Sequence, residues 1–119
     1  MRTDASEKGV GGELLQEYGD SLFPVAYVSK KLLDRERRYS VIERECLAIV
    51  FAIRKFEKYL YGKEFTLQTD HQPLAYIQRC QVDNSRIMRW ALFLQNYQFV
   101  IEAIKGSENV GADYLSRLD

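Results

Sequence analysis

The sequence predicts an α/β domain in which three short strands come first and helices then alternate with two further strands. Two observations favour this class. The first third of the chain carries short runs of β-branched and aromatic residues separated by turn residues. The remainder carries apolar residues at helical spacing, interrupted by stretches that alternate at period two. The predicted order is β-β-β-α-β-α-α-β-α, without repeats or low-complexity linkers.

Turn residues delimit the first three strands. The predicted strand segments are Thr3–Ser6, Val10–Gln16 and Phe23–Ser29. Only three residues precede Asp4, whereas strands usually run about five or six residues. We therefore expect the first strand to be truncated.

A capping box predicts where the first long helix begins. Ser40 takes the N-cap position and Glu43 follows three residues later, immediately before an apolar-periodic stretch. Gly62 is expected to end this helix. The later predicted elements are a strand at 64–69, a short helix at 74–78, a helix opened by 83–85, a strand at 97–104 and a terminal helix at 108–118.

Composition limits the classes of function. The chain has 119 residues, 46% of them hydrophobic, so one domain spanning residues 1–119 is expected. The 17 basic and 17 acidic residues cancel, so nucleic-acid binding would have to come from local patches. No apolar run approaches the roughly 18 residues of a membrane span, and the polar N-terminus lacks the apolar centre of a secretory signal, so we expect an intracellular location. Two cysteines and one histidine argue against structural zinc.

Three acidic residues lie where a site could form. Asp4 is in the first strand and Asp70 follows the strand ending at Thr69, and α/β sheets place ligand groups at the carboxyl ends of strands. Glu45 shares a helix stripe with Ile42 and Ile49, which indicates a metal, a cation or a site opening. Simpler interpretations stay open for each acid. Asp4 is also typical of a turn, Asp70 of a helix cap, and Glu45 of a stripe edge with its carboxylate in solvent.

Several motifs occur in order along the whole chain. They are Thr3-Asp4-Ala5-Ser6, Glu45-Cys46-Leu47-Ala48-Ile49-Val50, Tyr59-Leu60-Tyr61-Gly62, Thr69-Asp70-His71-Gln72-Pro73-Leu74, Arg89-Trp90 and Asn109-Val110-Gly111-Ala112-Asp113-Tyr114-Leu115-Ser116-Arg117. Together they resemble the ribonuclease H domain of gypsy-type LTR retrotransposon polyproteins. Because several separate motifs occur in the right order, the resemblance is far more specific than any one of them.

The resemblance implies a ribonuclease H-like fold, with a mixed five-stranded sheet flanked by helices. It also implies an endonuclease that cuts the RNA strand of RNA/DNA hybrids and is normally linked to a reverse transcriptase polymerase domain. Asp4, Glu45, Asp70 and Asp113 match the family's four metal-binding acids. They would hold two Mg²⁺ ions, for which Mn²⁺ could substitute, in two-metal hydrolysis. Cys46 is better interpreted as core packing than as a catalytic thiol.

The candidate substrate contacts are identified by their positive charge alone. Basic residues able to contact phosphates form one group before the long helix and one in a later helix: Lys30, Lys31 and Arg35, and Arg86 and Arg89. A solvated loop and an amphipathic helix edge are the alternatives, and Trp90 is expected in the core.

One acidic residue departs from the family pattern, and one alternative function remains. Glu13 stands where the family usually has an apolar residue, and an edge or solvent position is expected because burying an unpaired carboxylate is costly. The alternative function is a noncatalytic, decayed or structural, partner-binding domain. The short first strand and the neutral net charge favour it, and the intact acids count against it.

Overall fold

The computed structural model of the chain describes residues 1–69, 73–80 and 84–103. Within these ranges five strands form one sheet, in the order β3-β2-β1-β4-β5. The strands are β1 (Arg2–Ala5), β2 (Gly9–Tyr18), β3 (Ser21–Lys31), β4 (Glu64–Thr69) and β5 (Gln98–Ala103). The helices are α1 (Asp34–Arg37), α2 (Val41–Lys55), α3 (Glu57–Leu60), α4 (Pro73–Cys80) and α5 (Ser85–Leu94).

The sheet is mixed, and β1 lies at its centre. β1 pairs antiparallel with β2, placing Asp4 opposite Gly11, and β2 pairs antiparallel with β3. On its other side β1 runs parallel to β4, with Arg2 beside Gln68, and β4 runs parallel to β5. The predicted α/β class and mixed five-stranded sheet are therefore confirmed.

Helix α2 lies directly on the centre of the sheet. It packs against β1 and β2, and α4 and α5 pack against α2 and against each other. Gly12 allows this close approach, because a Cβ atom there would lie 2.7 Å from the Cβ of Ala52. The buried core between sheet and helices includes Val10, Cys46, Ile49, Ile53, Phe56, Leu67, Ile87 and Trp90. Cys46 and Trp90 are thus core residues, as predicted.

The capping box predicted at Ser40 forms. The Oγ of Ser40 accepts a hydrogen bond from the backbone N–H of Glu43 at 3.2 Å, and the backbone N–H of Ser40 donates to the Glu43 carboxylate at 3.1 Å. The predicted helix end at Gly62 is only partly right, because α2 ends at Lys55 and the short α3 follows. The predicted terminal helix lies outside the described residues. The single-domain boundary and the truncated first strand stay predictions.

The prediction for Glu13 is wrong. Glu13 lies on β2, which is flanked by β1 and β3 and is therefore not an edge strand. Its side chain is only 6% exposed, and its Oε2 atom has no hydrogen-bond partner among the residues that the structure describes. Arg2 is its cross-strand neighbour on β1. Its cross-strand neighbour on the other side is Tyr27 on β3.

Candidate active site

Asp4 is held inside the central strand. It pairs with Gly11 in the β1–β2 ladder and is 6% exposed. The turn begins only after it, where the backbone N–H of Ser6 donates to the carbonyl of Gly9 at 2.9 Å. The turn interpretation of Asp4 is therefore wrong. Since cross-strand partners project from the same face, the neighbour of Asp4 on β2 is a residue without a side chain, Gly11.

Glu45 lies in the second turn of α2 and is 2% exposed. The interpretation that placed its carboxylate in solvent is therefore wrong. Its neighbour Cys46 is fully buried, and the Cys46 thiol donates to the carbonyl of Pro73 at 3.4 Å. A carboxylate buried at this depth is stable only where charge or hydrogen bonding compensates its lost hydration. Glu45 is thus a buried acid on the helix that packs directly on the strand of Asp4.

Asp70 and Asp113 lie outside the described residues. The described residues on either side of position 70 are Thr69, which ends β4, and Pro73, which begins α4, and both are buried. Among the residues that the structure describes, no group of three or more His, Cys, Asp or Glu side chains could hold a metal ion. The structure describes two of the four predicted metal ligands, Asp4 and Glu45. They lie on β1 and α2, which are in direct contact.

Two of the predicted substrate-binding cations are engaged in ion pairs. Lys30 contacts the carboxylate of Glu36 at 3.0 Å, and Glu36 is buried and also accepts from the backbone N–H of Leu33 at 2.8 Å. Lys31, Arg35 and Arg89 are exposed.

Arg86 links α5 to the start of α2. Its guanidinium pairs with the Glu43 carboxylate and lies over the ring of Tyr39, 4.0 Å from the ring centroid. Burial acts to raise the pKa of Glu43, but hydrogen bonds from Ser40 and Arg86 outweigh burial and hold that pKa below its usual range. Arg86 therefore stabilises the junction that positions α2. The sequence predicted the capping role of Glu43 but carried no signal for a partner 43 residues away.

Solved structures share this fold. One is the RNase H1 named LC11, in complex with an RNA/DNA hybrid, with a TM-score of 0.68 and 16% identity, covering 96% of this chain and 90% of that one. Another is the foamy viral protease-reverse transcriptase in complex with an RNA/DNA hybrid, with a TM-score of 0.70 and 15% identity, covering 88% of this chain and 15% of that one. The fold is therefore ribonuclease H-like.

Sequence comparison defines the family. Residues 1–97 match the family model of the RNase H-like domain found in reverse transcriptase. The chain is 42% identical over 118 residues to the retrovirus-related Pol polyprotein from transposon 297 of Drosophila melanogaster, and 38% identical to that from transposon gypsy of the same organism. These alignments cover 99% and 98% of this chain but only 11% of each relative. The chain belongs to the RNase H-like domains of reverse transcriptases.

Proposed function

We propose that this domain hydrolyses the RNA strand of RNA/DNA hybrids with two bound Mg²⁺ ions, as part of a retrotransposon reverse transcriptase. The observation that carries the proposal is the burial of Asp4 and Glu45 on two elements packed directly together. Carboxylate oxygens are the hard ligands that Mg²⁺ prefers, and Mn²⁺ accepts the same ligands. The carboxylate oxygens of Asp4 and Glu45 are therefore suitable ligands for Mg²⁺.

Asp70 and Asp113 complete the proposed ligand set. The strand register supports Asp70, because Arg2 pairs with Gln68 in parallel strands, and Asp4 and Asp70 each come two residues later. The assignment of Asp113 as a ligand rests on its match to the family motif. Four acids are enough for two ions that also take water and substrate phosphate as ligands.

Bound metal ions would activate the attacking water and stabilise the leaving oxygen of the cleaved phosphodiester. The chain's own task is to hold the ligand atoms still. Strand pairing on both sides of β1 fixes Asp4, and the capped start of α2 fixes Glu45. No protein nucleophile is needed, and the Cys46 thiol is already engaged in the core with Pro73.

The proposed substrate class rests on relatives. Both structural neighbours described above were solved with an RNA/DNA hybrid. Because the chain spans about a tenth of its curated relatives, a linked polymerase domain is also part of the proposal. The 2′-hydroxyl is the group that distinguishes RNA from DNA at such a site. The exposed Lys31, Arg35 and Arg89 remain proposed phosphate contacts.

The test is cleavage of an end-labelled RNA/DNA hybrid by the folded chain in Mg²⁺ or Mn²⁺, beside DNA duplex and RNA duplex of the same sequence. We expect cuts only in the RNA strand of the hybrid, and their loss in Asp70→Asn. Circular dichroism of both proteins confirms folding. A folded wild-type chain that leaves the hybrid intact would refute the proposal and favour the noncatalytic alternative.

A further inference from the structure

A notch lies between the β1–β2 turn and the first turns of α2. It is a cavity of about 560 Å³ lined by Ser6, Glu7, Lys8, Val41 and Arg44. Lys8 and Arg44 give this Lys8–Arg44 notch two positive charges against one from Glu7. No motif of the sequence singled out these two cations.

Both walls of the notch are fixed by hydrogen bonds. In the turn, the Ser6 Oγ accepts from the backbone N–H groups of Lys8 and Gly9, both at 3.2 Å. The Lys8 carbonyl accepts from the backbone N–H of Leu32 at 2.8 Å, which fastens the turn to the chain after β3. On the opposite wall, the backbone N–H of Arg44 donates to the carbonyl of Ser40 at 3.0 Å. The two cations therefore project from a rigid frame.

Neither cation is neutralised by an ion pair in the part of the chain that the structure describes. There the carboxylates within 4 Å of a basic side chain pair with Lys30 and Arg86. Lys8 is exposed and Arg44 is half-buried. Positive charge presented without an acidic partner in a concave site suits an anion, and a phosphate offers several acceptor oxygens to an arginine.

The lining of the notch includes close chain neighbours of both placed acids. Arg44 directly precedes Glu45 on α2, and Ser6 comes two residues after Asp4. A nucleic acid whose phosphodiester reaches these acids carries further phosphates at every nucleotide on either side. Phosphate contacts of this kind set the register of the nucleic acid without reading its sequence.

We propose that the Lys8–Arg44 notch binds a backbone phosphate of the RNA/DNA hybrid and so positions the hybrid at the acids. The identity of this ligand rests on the proposed function. Lys8 and Arg44 supply the attraction, and Glu7 at the same notch weakens it. Removing either cation lowers hybrid affinity, and removing the Glu7 charge raises it.

The experiment measures hybrid affinity by fluorescence anisotropy in EDTA, which prevents metal-dependent cleavage, at several salt concentrations. We expect Lys8→Gln to weaken binding about threefold and Arg44→Gln about fivefold to tenfold, each lowering the salt slope by about one. Glu7→Gln should strengthen binding about twofold. The matched controls are Lys63→Gln, immediately before β4 and far from Asp4, and Arg54→Gln, ten residues or about 15 Å further along α2.

The outcomes separate this inference from the nuclease proposal. If Lys8→Gln and Arg44→Gln bind like the two controls, or if the folded wild-type chain does not bind the hybrid, the inference is overturned even where cleavage is observed. If the two variants lose affinity while the wild-type chain does not cut in Mg²⁺, the notch stands and the nuclease proposal fails.

Discussion

Replacing Gly12 by alanine tests the packing that places Glu45 near the central strand. The added methyl carbon would lie 2.7 Å from the Cβ of Ala52, 3.3 Å from Cγ2 of Val28 and 3.6 Å from Cε2 of Phe56. The closest of these atoms is fixed to the backbone of α2 and cannot rotate away. The helix must therefore shift from the sheet, and it carries Glu45 with it.

The expected cost follows from two opposing effects. Overpacking a tight core costs about 1–3 kcal/mol. Alanine also lowers the conformational entropy of the unfolded chain, which stabilises the folded state by about 0.4–1 kcal/mol where the backbone conformation suits alanine. We expect Gly12→Ala to lower the free energy of unfolding by about 1–2 kcal/mol, and the Tm by about 4–8 °C.

Urea denaturation of a double-mutant cycle measures this effect. Ala52→Gly removes the opposing Cβ and alone should cost about 1 kcal/mol through helix propensity. In the combined variant the clash is gone. The decrease in its free energy of unfolding should therefore be smaller than the sum of the decreases in the two single variants, by at least about 1 kcal/mol. Additive losses, or a Gly12→Ala protein as stable as the wild type, would refute the packing argument.

Three further substitutions test individual parts of the fold. Glu13→Val should raise the free energy of unfolding by about 1 kcal/mol, because a buried carboxylate oxygen without a hydrogen-bond partner is removed; a lower Tm would mean that this charge compensates Arg2 instead. Ser40→Ala should cost about 1 kcal/mol in urea denaturation by removing the cap of α2, and an unchanged midpoint would contradict that role. Because the folded-state pKa of Glu43 lies below 4.5, its charge contributes stability above pH 4.5 that is lost as the pH falls through the folded-state pKa. Glu43→Gln should therefore be less stable than the wild type at neutral pH, with the difference shrinking in acid; a difference independent of pH would exclude the ionic contribution.

Local sequence signals accounted for most of the elements. The Ser40 and Glu43 pair marked the start of α2, and Asn84 caps α5 with its side chain, as the predicted helix opening at 83–85 anticipated. These signals succeed because a cap and its helix are only a few residues apart. The inner-stripe position of Glu45 was likewise visible in the helical period.

Features that depend on residues distant in sequence were not predicted. The burial of Glu13 depends on what covers its face of the sheet, which the alternation of a single strand does not reveal. The Arg86–Glu43 pair joins two residues that are 43 positions apart in the sequence. The close approach at Gly12 could be predicted only if the face of the sheet that α2 covers were known. Pairing between such elements is decided by the packed fold and leaves no local pattern.

Single-turnover cleavage of an RNA/DNA hybrid tests the proposed nuclease activity and its metal site together. The folded wild-type chain, in excess over labelled hybrid, is compared with Asp4→Asn and with Glu45→Gln, each in Mg²⁺ and in EDTA. We expect the wild type to cut the RNA strand in Mg²⁺ only, and each folded variant to lose at least about 100-fold in rate, because both acids are proposed ligands of the metal ions. Equal cleavage by wild type and variants, or cleavage that persists in EDTA, would contradict it.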